Sequence, residues 1–156
     1  MNKIVKNALL WGGAFVAYRF YKLYEMGNAI IYKPVGIKFK RGATLNDLVI
    51  QIKMELLNPT KTIVTMRGID GELIIKGQTI GFFSAGAFKI DAGISHFNMD
   101  FKVDFFKVGA ELIQAIVSKK TPVLDVKLKI KLPFFTIPQR FTINTGSVPT
   151  TTNVIK

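Results

Sequence analysis

LVIQIKMELLNP, residues 48–59, decides how this chain is read. Leu48, Ile50, Ile52, Met54 and Leu56 recur at every second position, with Gln51, Lys53 and Glu55 between them. Side chains of an extended strand alternate between its two faces, so this spacing places one face in a core and the other in water. Asn58-Pro59 stops the pattern as a turn signal.

The same period runs outward in both directions. Upstream, IIYKPVGIKFKRG alternates Ile37 and Phe39 with Lys38 and Lys40, and Pro34 marks an edge or an irregular start. Downstream, residues 62–66 form a short β-rich run. Arg67 to Gly71 has turn chemistry and leads into GELIIK, and Gly77 separates that run from TIGFF at 79–83. The clearest strand begins at His96. Phe97, Met99, Phe101, Val103 and Phe105 face one way, while His96, Asn98, Asp100, Lys102 and Asp104 face the other. VGAELIQAIVS, 108–118, changes the period, and Leu112, Ala115 and Ile116 suit a short helix. Two strands close the body: VLDVKLKIKL, with Val126, Leu128, Ile130 and Leu132 inward and Lys127, Lys129 and Lys131 outward, then TIPQRFTIN at 136–144. Several strands separated by turns, with one late helix, predict a mainly-β antiparallel sandwich over 29–144, a barrel being the alternative. Residues 145–156 form a polar, Thr-rich tail.

Residues 1–28 are of another kind. The stretch from Asn7 to Tyr18 is uncharged and apolar, flanked by Lys3, Lys6, Arg19 and Lys22. It predicts a hydrophobic N-terminal helix. A bilayer-spanning helix needs about 20 apolar residues, so this run spans only if its flanking cations reach back to the interfaces. A secretory leader fits less well, because no small-x-small cleavage site precedes the charged stretch. Gly12 and Gly13 weaken a free helix but let a neighbour approach closely. The expectation is a helix held in a protein groove through Leu9, Leu10, Trp11, Gly12, Gly13, Phe15, Arg19, Phe20 and Lys22, with a membrane anchor as the alternative.

The 156 residues contain no cysteine, which removes disulfides, thiolate metal sites and a Cys nucleophile. The formal charge is +12, from 22 basic and 10 acidic side chains. A field of that sign favours acidic protein surfaces, nucleic acid or anionic lipid. Lys127, Lys129 and Lys131 are the candidate contact, against the simpler reading of a solvated strand face that discourages edge pairing. His96 is the single histidine and shares a strand face with Asp100, but no nucleophile motif accompanies it, so it reads as a polar face residue. Asp100 and Asp104 lie about 13 Å apart by strand rise, too far for a dyad. Asp70, Glu72 and Asp91 lack calcium-loop spacing, and no phosphate-binding glycine motif is present. No catalytic, cofactor-binding or metal-ligating residue is expected.

Taken in order, LVIQIKMELLNP, TIVTMRGIDGELIIKGQTIG, ISHFNMDFKVDF, VGAELIQAIVS, LDVKLKIKL and FTIPQRF resemble the LEA14-like family, also called the WHy (water stress and hypersensitive response) domain, over about residues 35–144. The resemblance implies a small β-sandwich without catalytic motifs, in a family that includes stress-associated and membrane-anchored proteins. The lysine faces are more basic than that family's usual strands. In overall character, though not in any motif, an ordered β-domain behind a hydrophobic helix also resembles small structural proteins of tailed-phage particles. The expected function is therefore that of a non-enzymatic structural subunit of a large assembly such as a virion. It would contact other protein subunits, copies of itself among them. The alternative is a membrane-associated LEA14-like stress-protection or binding domain.

Overall fold

The computed structural model describes residues 3–41, 47–104, 123–144 and 150–152. The chain opens with helix α1, Lys3–Ala29. Ten strands follow: β1 (Ile31–Arg41), β2 (Asp47–Asn58), β3 (Val64–Met66), β4 (Gly68–Ile75), β5 (Gln78–Ala85), β6 (Phe88–Ile90), β7 (Gly93–Asp104), β8 (Val123–Lys131), β9 (Thr136–Asn144) and β10 (Thr150–Thr152). The expected short helix at 108–118 and the end of the Phe97–Phe105 row lie outside the described residues.

Eight strands form one curled sheet in the order β10-β1-β2-β7-β5-β4-β8-β9, and β3 pairs with β6 separately. Among the described residues every pairing is antiparallel except that of β10 with β1. The fold is thus mainly β and sandwich-like. Its two leaves, β1-β2-β7 and β5-β4-β8-β9, meet where β5 touches β7. That seam consists of two register pairs, Gly81↔Val103 and Phe82↔Lys102. By contrast β2 and β7 pair from Asp47↔Asp104 to Asn58↔Gly93. Gly81 permits the seam: a Cβ there would stand 2.9 Å from Val103 Cγ2 and 3.1 Å from the Lys102 carbonyl.

The core is built from the alternating rows. Ile50, Ile52, Met54 and Leu56 of β2, Met99, Phe101 and Val103 of β7, and Leu124, Val126, Leu128 and Ile130 of β8 are all buried. Phe101, fully buried, crosses from one leaf to the other: a Cβ at Gly71 in β4 would meet its ring at 3.2 Å. Phe83, Phe88 and Phe97 extend this core as an aromatic cluster with centroids 5.1 to 5.7 Å apart.

The stretch 67–71 corrects the sequence reading. It is not a turn into the next strand, because Gly68 to Ile75 run straight through as β4. Gly68 and Gly71 are there for close approach: a Cβ on Gly68 would press to 2.7 Å from the Ala85 carbonyl, and one on Gly71 to 3.0 Å from Leu128 Cδ2. The reversal comes instead at Lys76-Gly77, where both φ angles are positive, 48° and 82°. Two successive positive φ values give the type I′ geometry that matches strand twist in a two-residue hairpin. Pro34 does mark an irregularity, since the β1–β2 register shifts between Pro34 and Gly36.

β2 ends in a polar knot. Asn58, 1% exposed, donates through Nδ2 to the Thr62 carbonyl at 2.9 Å and to the Ile90 carbonyl at 3.4 Å. Its Oδ1 accepts from the Thr60 amide at 3.0 Å. A buried amide with donors and acceptor all engaged ties the β2 end to the β3 approach and to β6 at little desolvation cost.

Candidate functional site

α1 is joined to the sandwich only at its C-terminal end, among the described side chains. Gly27 is buried, and a Cβ on it would meet Leu132 Cδ1 and Ile137 Cδ1. Met26 packs against the core and Ile30 is part of it. One turn and two turns earlier, Tyr24 meets Phe135 at 5.5 Å between centroids and Phe20 meets Phe134 at 4.6 Å. The i, i+4 spacing of Phe20 and Tyr24 puts both rings on the face toward the β8–β9 turn.

Residues 13–22 are exposed on every face of the helix. Phe15 is 60% exposed, Tyr18 58% and Tyr21 63%. Arg19 lies over the Phe15 ring at 5.3 Å and Lys22 over the Tyr18 ring at 5.8 Å, so the cations lie along the aromatic surface. Gly13 has no atom within 4 Å of where its Cβ would be. Of the expected groove residues, Gly13, Phe15, Arg19 and Lys22 are thus on the open part of the arm, and Phe20 is at its root. Leu9, Leu10, Trp11 and Gly12 belong to α1, but their side chains are outside those described. No helix among the described residues is long and apolar enough to cross a membrane.

Sequence reasoning missed a second apolar feature at the root. Ile31, Leu57 and Ile94 are aligned across β1, β2 and β7. Ile31 is 56% and Ile94 63% exposed. These residues continue alternating rows onto the outward face, where the pattern alone predicts polar side chains.

The lysine row of β8 is exposed as expected, but it is not bare. Lys131 Nζ lies 2.5 Å from Asp70 Oδ2. Lys127 is aligned with Glu72 on β4 and with Arg140 on β9. Arg140 in turn reaches Asp125 at 3.6 Å, and the Thr142 hydroxyl donates to Asp125 at 2.6 Å. Hydrogen bonds from Lys131 and then from Ser84 hold the Asp70 carboxyl below the usual aspartate range. Lys129 is aligned with Asp70 itself, so the row is a mixed-charge ladder.

His96 does not meet Asp100. Its Nε2 lies 3.8 Å from Glu55 Oε2, across the β2–β7 register, while Asp100 accepts from Gln51 Nε2 at 2.6 Å. No group of three or more metal-ligating side chains occurs among the described residues.

No protein-family model matches the chain, and no curated protein does. Solved structures similar to it include a protein from Archaeoglobus fulgidus, at 8% identity and TM-score 0.49 over 73% of this chain and 90% of that one. A solution structure from Arabidopsis thaliana has 18% identity and TM-score 0.45, covering 78% of this chain and 84% of the other. The solution structure of a putative late embryogenesis abundant (LEA) protein has 18% identity and TM-score 0.44, covering 92% and 86%.

Proposed function

We propose that the chain is a non-enzymatic structural subunit of a multi-subunit particle, of the virion-component kind, and that α1 is the arm it inserts between neighbouring subunits. The observation that carries this reading is the helix segment 13–22, exposed on all sides while bearing Phe15, Val16, Tyr18 and Tyr21. A helix with so wide an apolar surface beside its two cations is stabilised when something covers that surface. The rooted end supports the same reading: the Phe20–Phe134 and Tyr24–Phe135 ring pairs fix how the arm leaves the sandwich. Within the proposal the sandwich is of the LEA14-like, WHy-domain kind that the sequence resembles.

The test is a deletion of residues 1–18, which removes most of the open arm, Phe15, Val16 and Tyr18 included, but keeps the root from Phe20 to Ile30. The truncated chain should keep its strand circular dichroism and fail to join particles assembled from the remaining components. Incorporation at the full-length level defeats the arm. Full incorporation combined with loss of liposome binding favours the membrane-associated alternative, in which Tyr18, Tyr21 and Tyr24 would lie at the headgroup level.

A further inference from the structure

The charge that the sequence places on β8 is largely answered by carboxylates, and a different basic site stands open. A groove of about 340 Å³ lies on the outward face of β1 and β2, at the bulge, lined by Val35, Gly36, Lys38, Gln51, Lys53 and Asn98. The bulge creates it. The register shift between Pro34 and Gly36 interrupts the outward row of β1, so Lys53 is aligned with Gly36 on one side and Asn98 on the other. A glycine and an amide leave space above the sheet where a larger pair would fill it.

Lys38 is aligned with Gln51, which makes Lys38 and Lys53 diagonal neighbours across the strand pair. Such neighbours are about 7–8 Å apart at their backbones, within reach of one ligand for long side chains. Neither lysine makes an ion pair among the described residues, unlike Lys131. The nearest aligned acid, Asp100, is engaged by Gln51. Like charges held on one rigid strand pair repel each other unless an anion lies between them.

We infer that this groove is a recognition site for carboxylate side chains of an acidic, extended polypeptide, with Lys38 and Lys53 as the charged contacts and Asn98 as a hydrogen-bonding one. The rest of the face selects the polypeptide over a nucleic acid. Glu55 lies on the row beyond Lys53, and Asp100 lies on the row of Lys38 and Gln51, one strand further on. A continuous phosphate backbone would have to pass both, whereas carboxylates on alternate residues of a peptide can be spaced to avoid them. The inference stands independently of what covers α1.

The experiment is fluorescence anisotropy of the full chain with a labelled peptide of alternating Glu and Thr, beside a thymidine oligonucleotide of equal charge. The Lys38→Gln/Lys53→Gln double variant should lose about tenfold in peptide affinity, the scale of two exposed ion pairs. Lys127→Gln/Lys129→Gln should stay near the parent value, and Lys38→Arg/Lys53→Arg should restore most of the binding. Melting curves identify any variant that is misfolded, and the Arg pair then carries the comparison. Equal losses in the two Gln pairs, no peptide binding by the parent, or tighter binding of the oligonucleotide at the same salt would each overturn the assignment.

Discussion

The Thr60 hydroxyl donates to Asn58 Oδ1 over 2.6 Å, from two residues further along the chain. With the Thr60 amide on the same oxygen, the turn at Pro59 is closed by side-chain bonds where a backbone ladder ends. Asn58→Ala would take from the Ile90 carbonyl its bond to the side-chain amide and leave the Thr62 carbonyl to the Thr60 hydroxyl alone. It should destabilise the fold by about 2–3 kcal/mol, and Thr60→Ala by about 1 kcal/mol, in urea unfolding. Equal small effects would show that the knot is ornamental to the fold.

Phe101 and Lys102 are adjacent on β7 and point to opposite faces, one fully buried and the other exposed. Phe101→Ala should cost about 3–5 kcal/mol, the range for a truncated core aromatic. Lys102→Ala should change stability by less than about 0.5 kcal/mol. Denaturant midpoints measured on both variants check the contrast directly.

Tyr32 presents a different case. Its hydroxyl is buried and has no hydrogen-bond partner among the described residues, and burial pushes its pKa far up. Removing a polar atom that lost its water without gaining a partner is favourable. Tyr32→Phe should therefore leave stability unchanged or raise it by up to about 1 kcal/mol. A clear loss would reveal a partner for that oxygen.

Asp70 sets an acid limb. Its folded-state pKa lies below the unfolded value because Lys131 and Ser84 hydrogen-bond to the carboxylate. Its contribution is complete above the unfolded aspartate pKa, about 3.9, and is lost as pH falls through the lower folded-state value. Asp70→Asn should flatten the fall in stability below about pH 4 and change little at pH 7, since an exposed pair contributes at most about 1 kcal/mol. The readout is the melting temperature against pH, with Lys131→Gln expected to flatten the same limb.

Much of this architecture is legible in the sequence, and the reasons are local. β2, β7, β8 and β9 announce themselves because each keeps one wet and one dry face for several residues. What was hidden depends on who the neighbours are. Gly68 and Gly71 mimic a turn, since the Ala85 carbonyl and the Leu128 side chain that demand small residues there are distant in the chain. β6 spans three residues, too short to show a period. Lys131 looks free until β4 is placed beside β8 and brings Asp70 to it. The groove at Lys38 and Lys53 needs both the β1–β2 alignment and its shift at the bulge, and Pro34 hints only at the second.

The root of α1 has a mechanical meaning. The helix is covalently continuous with β1, near one border of the curled sheet, and it rests on Leu132 and on Ile137 of β9, the strand at the opposite border. The two leaves are therefore hinged on one side by the short β5–β7 seam and clasped on the other by the foot of the arm. A rod of 27 helical residues is about 40 Å long, a long lever for so small a body. A partner that grips its far end would, through that lever, press the two borders together or pry them apart, so capture of the arm and the tightness of the sandwich become one mechanical event.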